Sequence, residues 1–179
     1  MTFAGVSVIE SVIGLLFGNV LHYSPSMISL LFIVPLPGYL LGSFIAGRLN
    51  KVFTLNQIIL IGIIGLALGA FSMLWTGLAG HVTLLGILIP AVLFFFGGGI
   101  VFPSATAGAI EPFDDSAGKA GALLGGMQNV GSGSCALFSA SLSQTNQLPL
   151  AMILVVLTVL LSGIFFVVIR SQERVLQNI

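Results

Sequence analysis

Glu10 is the one ionisable side chain standing well inside an apolar stretch, and it shares a helical face with Ser7, Ser11, Gly14 and Gly18. A charge held at mid-membrane depth costs about 2.5–3.5 kcal/mol on insertion scales, so such a carboxylate is expected to be protonated, paired or in contact with water. Two readings follow: a titrating or cation-attracting group in a cavity, or a shallow carboxylate near a frayed helix start. A second stripe at helical spacing joins Gly121, Gly125, Gln128, Ser132, Cys135 and Ser139, and Gln128 poses a choice between an interhelical hydrogen bond and ligand contact. A third stripe holds Phe95, Gly98, Phe102 and Thr106. Polar stripes are poorly matched to lipid, so these three faces are expected to turn inward.

The remaining chemistry is sparse. One cysteine, Cys135, forbids an intrachain disulfide or a cysteine metal cluster. His22 and His81 lie far apart in connectors, and neither a carboxylate pair nor a metal-ligand set falls inside an apolar run, so no cofactor and no metal are expected.

These side chains are positioned by elements that composition identifies. Charged residues make up 6% of the 179 residues, against roughly 25% in soluble domains, and hydrophobic residues reach 57%. A soluble globule of this size leaves about a third of its unfolded-chain surface exposed, and this chain lacks the charge to solvate it. Disorder, which requires low hydrophobicity, is excluded as well. Zero net charge without a basic cluster leaves nothing to displace counterions from phosphates, so nucleic acid is excluded as a partner. The expected solvent is a lipid bilayer.

About 20 apolar residues cross a bilayer as a helix. Six stretches qualify, at about 3–21, 27–47, 56–77, 83–109, 118–142 and 149–169, with connectors at 22–26, 48–55, 78–82, 110–117 and 143–148. None alternates in polarity as barrel strands do, so the expected fold is an all-α membrane protein with six transmembrane helices. Arg48, Lys51, Lys119, Arg170 and Arg174 all follow even-numbered spans, which predicts both termini on the cytoplasmic side. The start lacks a basic region before the apolar run, so it reads as a membrane segment rather than a cleaved signal.

Glycine pairs four apart, Gly38/Gly42, Gly65/Gly69 and Gly121/Gly125, predict close helix packing. Pro35 and Pro37 in span two, and Pro90 and Pro103 in span four, each remove a backbone donor and loosen their helices. Asp114 and Asp115, beside Lys119, read as a solvated turn and helix cap.

Two motifs carry a resemblance. The run from Gly42 through Gly47 and Arg48 to Lys51 resembles the GxxxxGR-type element of the major facilitator superfamily, at the cytoplasmic end of the second helix of a six-helix half. The run from Phe102 and Pro103 through Pro112 and Phe113 to Gln128 is similar to the stretch bridging helices ten and eleven of Bcr/CflA-type drug:proton antiporters. The resemblance covers nearly the whole chain as one bundle, helices seven to twelve of a twelve-helix transporter, built in that family from two inverted three-helix repeats. It implies export of small amphipathic, drug-like compounds by proton antiport across a bacterial inner membrane, with an amino-terminal six-helix half or a second copy as partner. The helix-seven equivalent looks clipped at its start, and the amino-terminal bundle is absent. Under this reading Glu10, Tyr39, Phe95, Phe102 and Gln128 line the substrate cavity. Gly42, Gly47, Arg48, Lys51, Pro103 and Pro112 take gating or structural roles, with Arg48 and Lys51 docking on neighbouring helix ends. Alternatives are a six-helix accessory or scaffold subunit and an inactive truncated remnant. An intramembrane protease of rhomboid type would need a GxSG serine and a later helical histidine; Gly131-Ser132-Gly133-Ser134 has the wrong order and the last span holds no histidine.

Overall fold

In the computed structural model, residues 1–80, 82–142 and 145–177 are described, those of 171–177 and Asp114 without their side chains. His81, Ser143 and the side chain of Arg174, which entered the connector and orientation arguments, lie outside that description. The described residues form α1 (Thr2–Asn19), α2 (Pro25–Leu31), α3 (Leu36–Leu49), α4 (Leu55–Leu78), α5 (Leu84–Ile110), α6 (Ala117–Ser141) and α7 (Leu148–Gln177), with a 3-10 turn at Glu111–Ser116 between α5 and α6. Among them there is no strand. The protein is an all-helical bundle, as lipid demands of a backbone that must satisfy its own hydrogen bonds.

The starts of α2, α4 and α5 are capped by side chains. Ser24 caps α2 by accepting from the Met27 amide, with Pro25 in the first helical position. Thr54 and Gln57 form a reciprocal capping box at α4, the Thr54 amide donating to Gln57 Oε1 at 3.0 Å. Thr83 caps α5 through the Gly86 amide. Between α4 and α5 the chain turns at Gly80, whose φ of +77° suits a residue without a Cβ.

Three features depart from the expected spans. The second is broken: α2 ends at Leu31, and the chain passes through tight turns to α3 at Leu36. Pro35 and Pro37 cannot donate to the Leu31 and Ile33 carbonyls, which instead accept from the Val34 and Leu36 amides at 3.2 Å each. The last helix continues to Gln177, past the expected end at 169. Among the described residues, five spans are long and apolar enough to cross a membrane, with Pro25–Leu49 counting as one across its break. α6 has the length, 25 residues, but its glycines, serines, Gln128 and Asn129 lower its hydropathy.

α5 is the central rod. α4 packs along it most closely, α3 lies on another side, and α1 touches it less extensively; α6 leans on α1, and α7 on α4 and α1. The main core joins Val8, Val12, Leu16 and Phe17 of α1 to Leu66, Ala70 and Met73 of α4, Ala91, Phe94 and Phe95 of α5, and Leu150 and Leu154 of α7. Apolar residues such as Leu40, Leu68, Trp75 and Val167 face outward and are exposed, a surface suited to lipid.

Glycine sets the closest approaches. A Cβ on Gly38 would lie 2.6 Å from the Val92 carbonyl oxygen, and one on Gly42 would run into the Phe96 carbonyl. One on Gly65 would meet the Gly97 Cα at 2.9 Å, and one on Gly69 the Phe94 amide at 2.5 Å. The third expected pair packs otherwise: a Cβ on Gly121 would lie 3.7 Å from an Ile110 methyl, and one on Gly125 would have no neighbour within 4 Å. Gly47 likewise faces open space.

Candidate functional site

α1 and α3 stand apart on α5, and the gap between them is a cleft of about 160 Å³. Its walls are Thr2, Phe3, Val6 and Glu10 from α1 and Leu36 and Tyr39 from α3, with Phe95 and Phe102 of α5 closing the side between them. The helical period explains the set. Phe3, Val6 and Glu10 lie on one face of α1, and Phe95 and Phe102 lie two turns apart on α5. Four of the five cavity candidates, Glu10, Tyr39, Phe95 and Phe102, are therefore brought together. The cleft holds one carboxylate and two hydroxyl groups in an otherwise aromatic and aliphatic lining.

Gln128 is not with them. It lines a second opening of about 270 Å³ with Met1, Thr106, Leu124 and Leu161, among others. Thr2, Phe3 and Phe102 border both spaces. The Phe3 and Phe102 rings, 5.6 Å apart between centroids, form the partition. The division arises because α6 follows α1 but barely touches α5.

The three stripes also divide. On α5, Phe95 and Gly98 are buried toward α1, as an inward face requires. On α6, Ser132 and Ser139 are buried, while the Gly125 end of the stripe opens. On α1 the expectation of an inward stripe is overturned. The buried face is Ala4, Val8, Ile9, Val12, Ile13, Leu16 and Phe17, whereas Glu10 is exposed and Ser7, Ser11 and Gly14 are half-buried. Hydrophobic packing took the apolar side of α1 for the core and turned Glu10 to the open edge of the bundle.

The residues assigned gating or structural roles are spread out. Gly42 is pressed against α5. Arg48 is exposed, its guanidinium 4.3 Å from the centroid of the Phe44 ring on its own helix, and Lys51 is exposed in the following turn. Docking of Arg48 on a neighbouring helix end is not what this arrangement shows; a phenylalanine one turn earlier holds it. Pro103 lies inside α5, and Pro112 in the exposed 3-10 turn where Phe113 departs from helical geometry. The cap of α6 also differs. Ser116 occupies the capping position without a side-chain bond, and Asp115 is exposed in the turn before it.

Sequence reading missed a set of hydroxyl and amide groups. The Ser43 hydroxyl donates to the Gly99 carbonyl at 3.0 Å, joining α3 to α5. The Thr76 hydroxyl reaches the Gly86 carbonyl at 2.8 Å, joining α4 to α5, and accepts from Gln147 Nε2 at 2.8 Å. Gln147, buried at the start of α7, sits in a polar connector and carried no periodic signal. The prolines were the available clue, since each frees a carbonyl four residues earlier.

The chain matches the Major Facilitator Superfamily over residues 1–178. It belongs to that superfamily. Within this superfamily, it is 42% identical over 158 residues to the multidrug resistance protein D of Escherichia coli strain K12, a match covering 88% of this chain and 40% of that protein. The chain thus spans less than half the length of that relative. No solved structure matches it. Membership in the superfamily, together with the apolar helices, makes it an integral membrane protein of a transporter family.

Proposed function

We propose that the chain is the carboxyl-terminal bundle of a multidrug exporter, equivalent to helices seven to twelve, which needs an amino-terminal six-helix half to work. The observation that carries this reading is the identity to a multidrug resistance protein over most of this chain but only 40% of that protein. The cleft supports it: Glu10 lies at the open edge of the bundle, where a second bundle would complete an enclosure. In this reading the two halves rock about the cleft and export amphipathic compounds as protons enter. Glu10 is the titrating or cation-attracting group, and Tyr39, Phe95 and Phe102 supply adaptable aromatic surface. Gln128 contacts ligand from the neighbouring opening. Gly42, Gly47, Arg48, Lys51, Pro103 and Pro112 serve gating or structural roles. Arg48, Lys51, Lys119 and Arg170 place both chain ends on the cytoplasmic side of a bacterial inner membrane.

The test is a drug-susceptibility and proton-flux assay of cells expressing the chain alone and with a candidate amino-terminal half. Resistance and flux are expected only from the pair. Activity of the chain alone would overturn the need for a partner. Inactivity of both would leave an accessory subunit or an inactive remnant. Glu10→Gln in the active pair should lower drug-linked proton flux at least tenfold; an unchanged flux would dispose of its role.

A further inference from the structure

α5 contains two prolines, and both of their missing hydrogen bonds are supplied from outside the helix. An α-helical amide bonds the carbonyl four residues before it, so Pro90 leaves the Gly86 carbonyl free and Pro103 leaves the Gly99 carbonyl free. Those are the two carbonyls that receive neighbouring hydroxyls: Thr76 of α4 donates to Gly86 at 2.8 Å, and Ser43 of α3 donates to Gly99 at 3.0 Å. Pro35 and Pro37, at the junction of α2 and α3, are handled differently, by amides of their own segment.

Local sequence makes each approach feasible. A Cβ on Gly99 would collide with the Tyr39 carbonyl and come within 3.0 Å of the Ser43 amide, so glycine there lets α3 close on α5. Thr76 is held in place by Gln147, whose Nε2 donates to its oxygen and leaves the hydroxyl hydrogen to point toward a carbonyl. The Ser72 and Met73 carbonyls of α4, each at 3.1 Å, are its alternative acceptors.

We propose that Ser43 and Thr76 are hinge latches of α5, each replacing the hydrogen bond that one proline removes. Helices bend where a proline leaves the ladder open, and a donor from a neighbouring helix fixes the bend against that neighbour.

Pro→Ala substitutions restore the missing amides, so the latch becomes redundant at its own proline and at no other. Thermal unfolding of the purified chain in detergent reads this. Adding Ser43→Ala to Pro103→Ala, or Thr76→Val to Pro90→Ala, is expected to leave the midpoint unchanged. Adding Ser43→Ala to Pro90→Ala, or Thr76→Val to Pro103→Ala, should lower it by about 2–4 °C, the scale of one lost hydrogen bond in a chain of this size. Equal effects in matched and crossed pairs, including no effect in either, would overturn the latches.

Discussion

Glycine serves opposite ends in the α3–α4–α5 layer and in α6. In the layer, Gly38, Gly42, Gly65, Gly69, Gly97 and Gly99 stand against the backbone of a neighbouring helix, so close that a methyl group would collide. In α6, Gly118, Gly125, Gly126, Gly131 and Gly133 have nothing within 4 Å of where a Cβ would stand. Around them Leu123, Met127, Val130, Leu137 and Phe138 are exposed. Apolar surface does not by itself drive helices together in lipid, so a glycine stabilises only where a neighbour arrives to exploit the missing side chain. The layer has completed that packing within this chain. At these positions α6 has not.

The comparison is most exposed to failure at Gly97. A Cβ there would collide with the Leu66 amide and approach the Gly65 and Gly62 carbonyl groups, all rigid backbone. Gly97→Ala should destabilise the chain by at least the 1–3 kcal/mol of an overpacked core, measured by thermal unfolding in detergent. An unchanged midpoint would mean that α4 and α5 are not in close contact.

A smaller and opposite effect is expected in α6. Gly125→Ala and Gly131→Ala should leave the chain alone unchanged or stabilise it by up to about 1 kcal/mol, since alanine is the better helix former. The same substitutions should weaken assembly with an amino-terminal half, read by co-purification. A loss of stability in the isolated chain would show that these glycines already have a neighbour.

The smallest effect is expected at Arg48. Its stacking on Phe44 is exposed, so Phe44→Leu should cost about 0.5–1 kcal/mol or less in unfolding assays of the chain. A larger loss would show that Phe44 does more than support the guanidinium.

The amphipathic pattern of α1 shows where sequence reading reached and where it stopped. It singled out Glu10, because a carboxylate inside an apolar run is rare whatever surrounds it. It set the stripe inward, because a polar face avoids lipid. The structure turned the opposite face to the core, because Val8, Ile9, Val12 and Leu16 offered better packing to α4, α5 and α7. Tyr39, Phe95 and Phe102 line one cleft with Glu10, yet Gln128 does not, since Phe3 and Phe102 stand between the two spaces. Pro103 was legible as a loosened turn; Ser43, which answers it through the Gly99 carbonyl 56 positions along the chain, was not.

Hydropathy and backbone chemistry determined the helices. A run of apolar residues in lipid has to close its own hydrogen bonds, and that demand acts on each segment separately. The sequence also determined where helices are capped or interrupted, since Thr54 with Gln57 and Pro35 with Pro37 act over a single turn. Only the tertiary structure decided how each rod is rotated, which glycines meet backbone, and which hydroxyl answers which proline. Those choices depend on surfaces arriving together from distant parts of the chain, and a helix carries its periodicity unchanged whichever neighbour it finds.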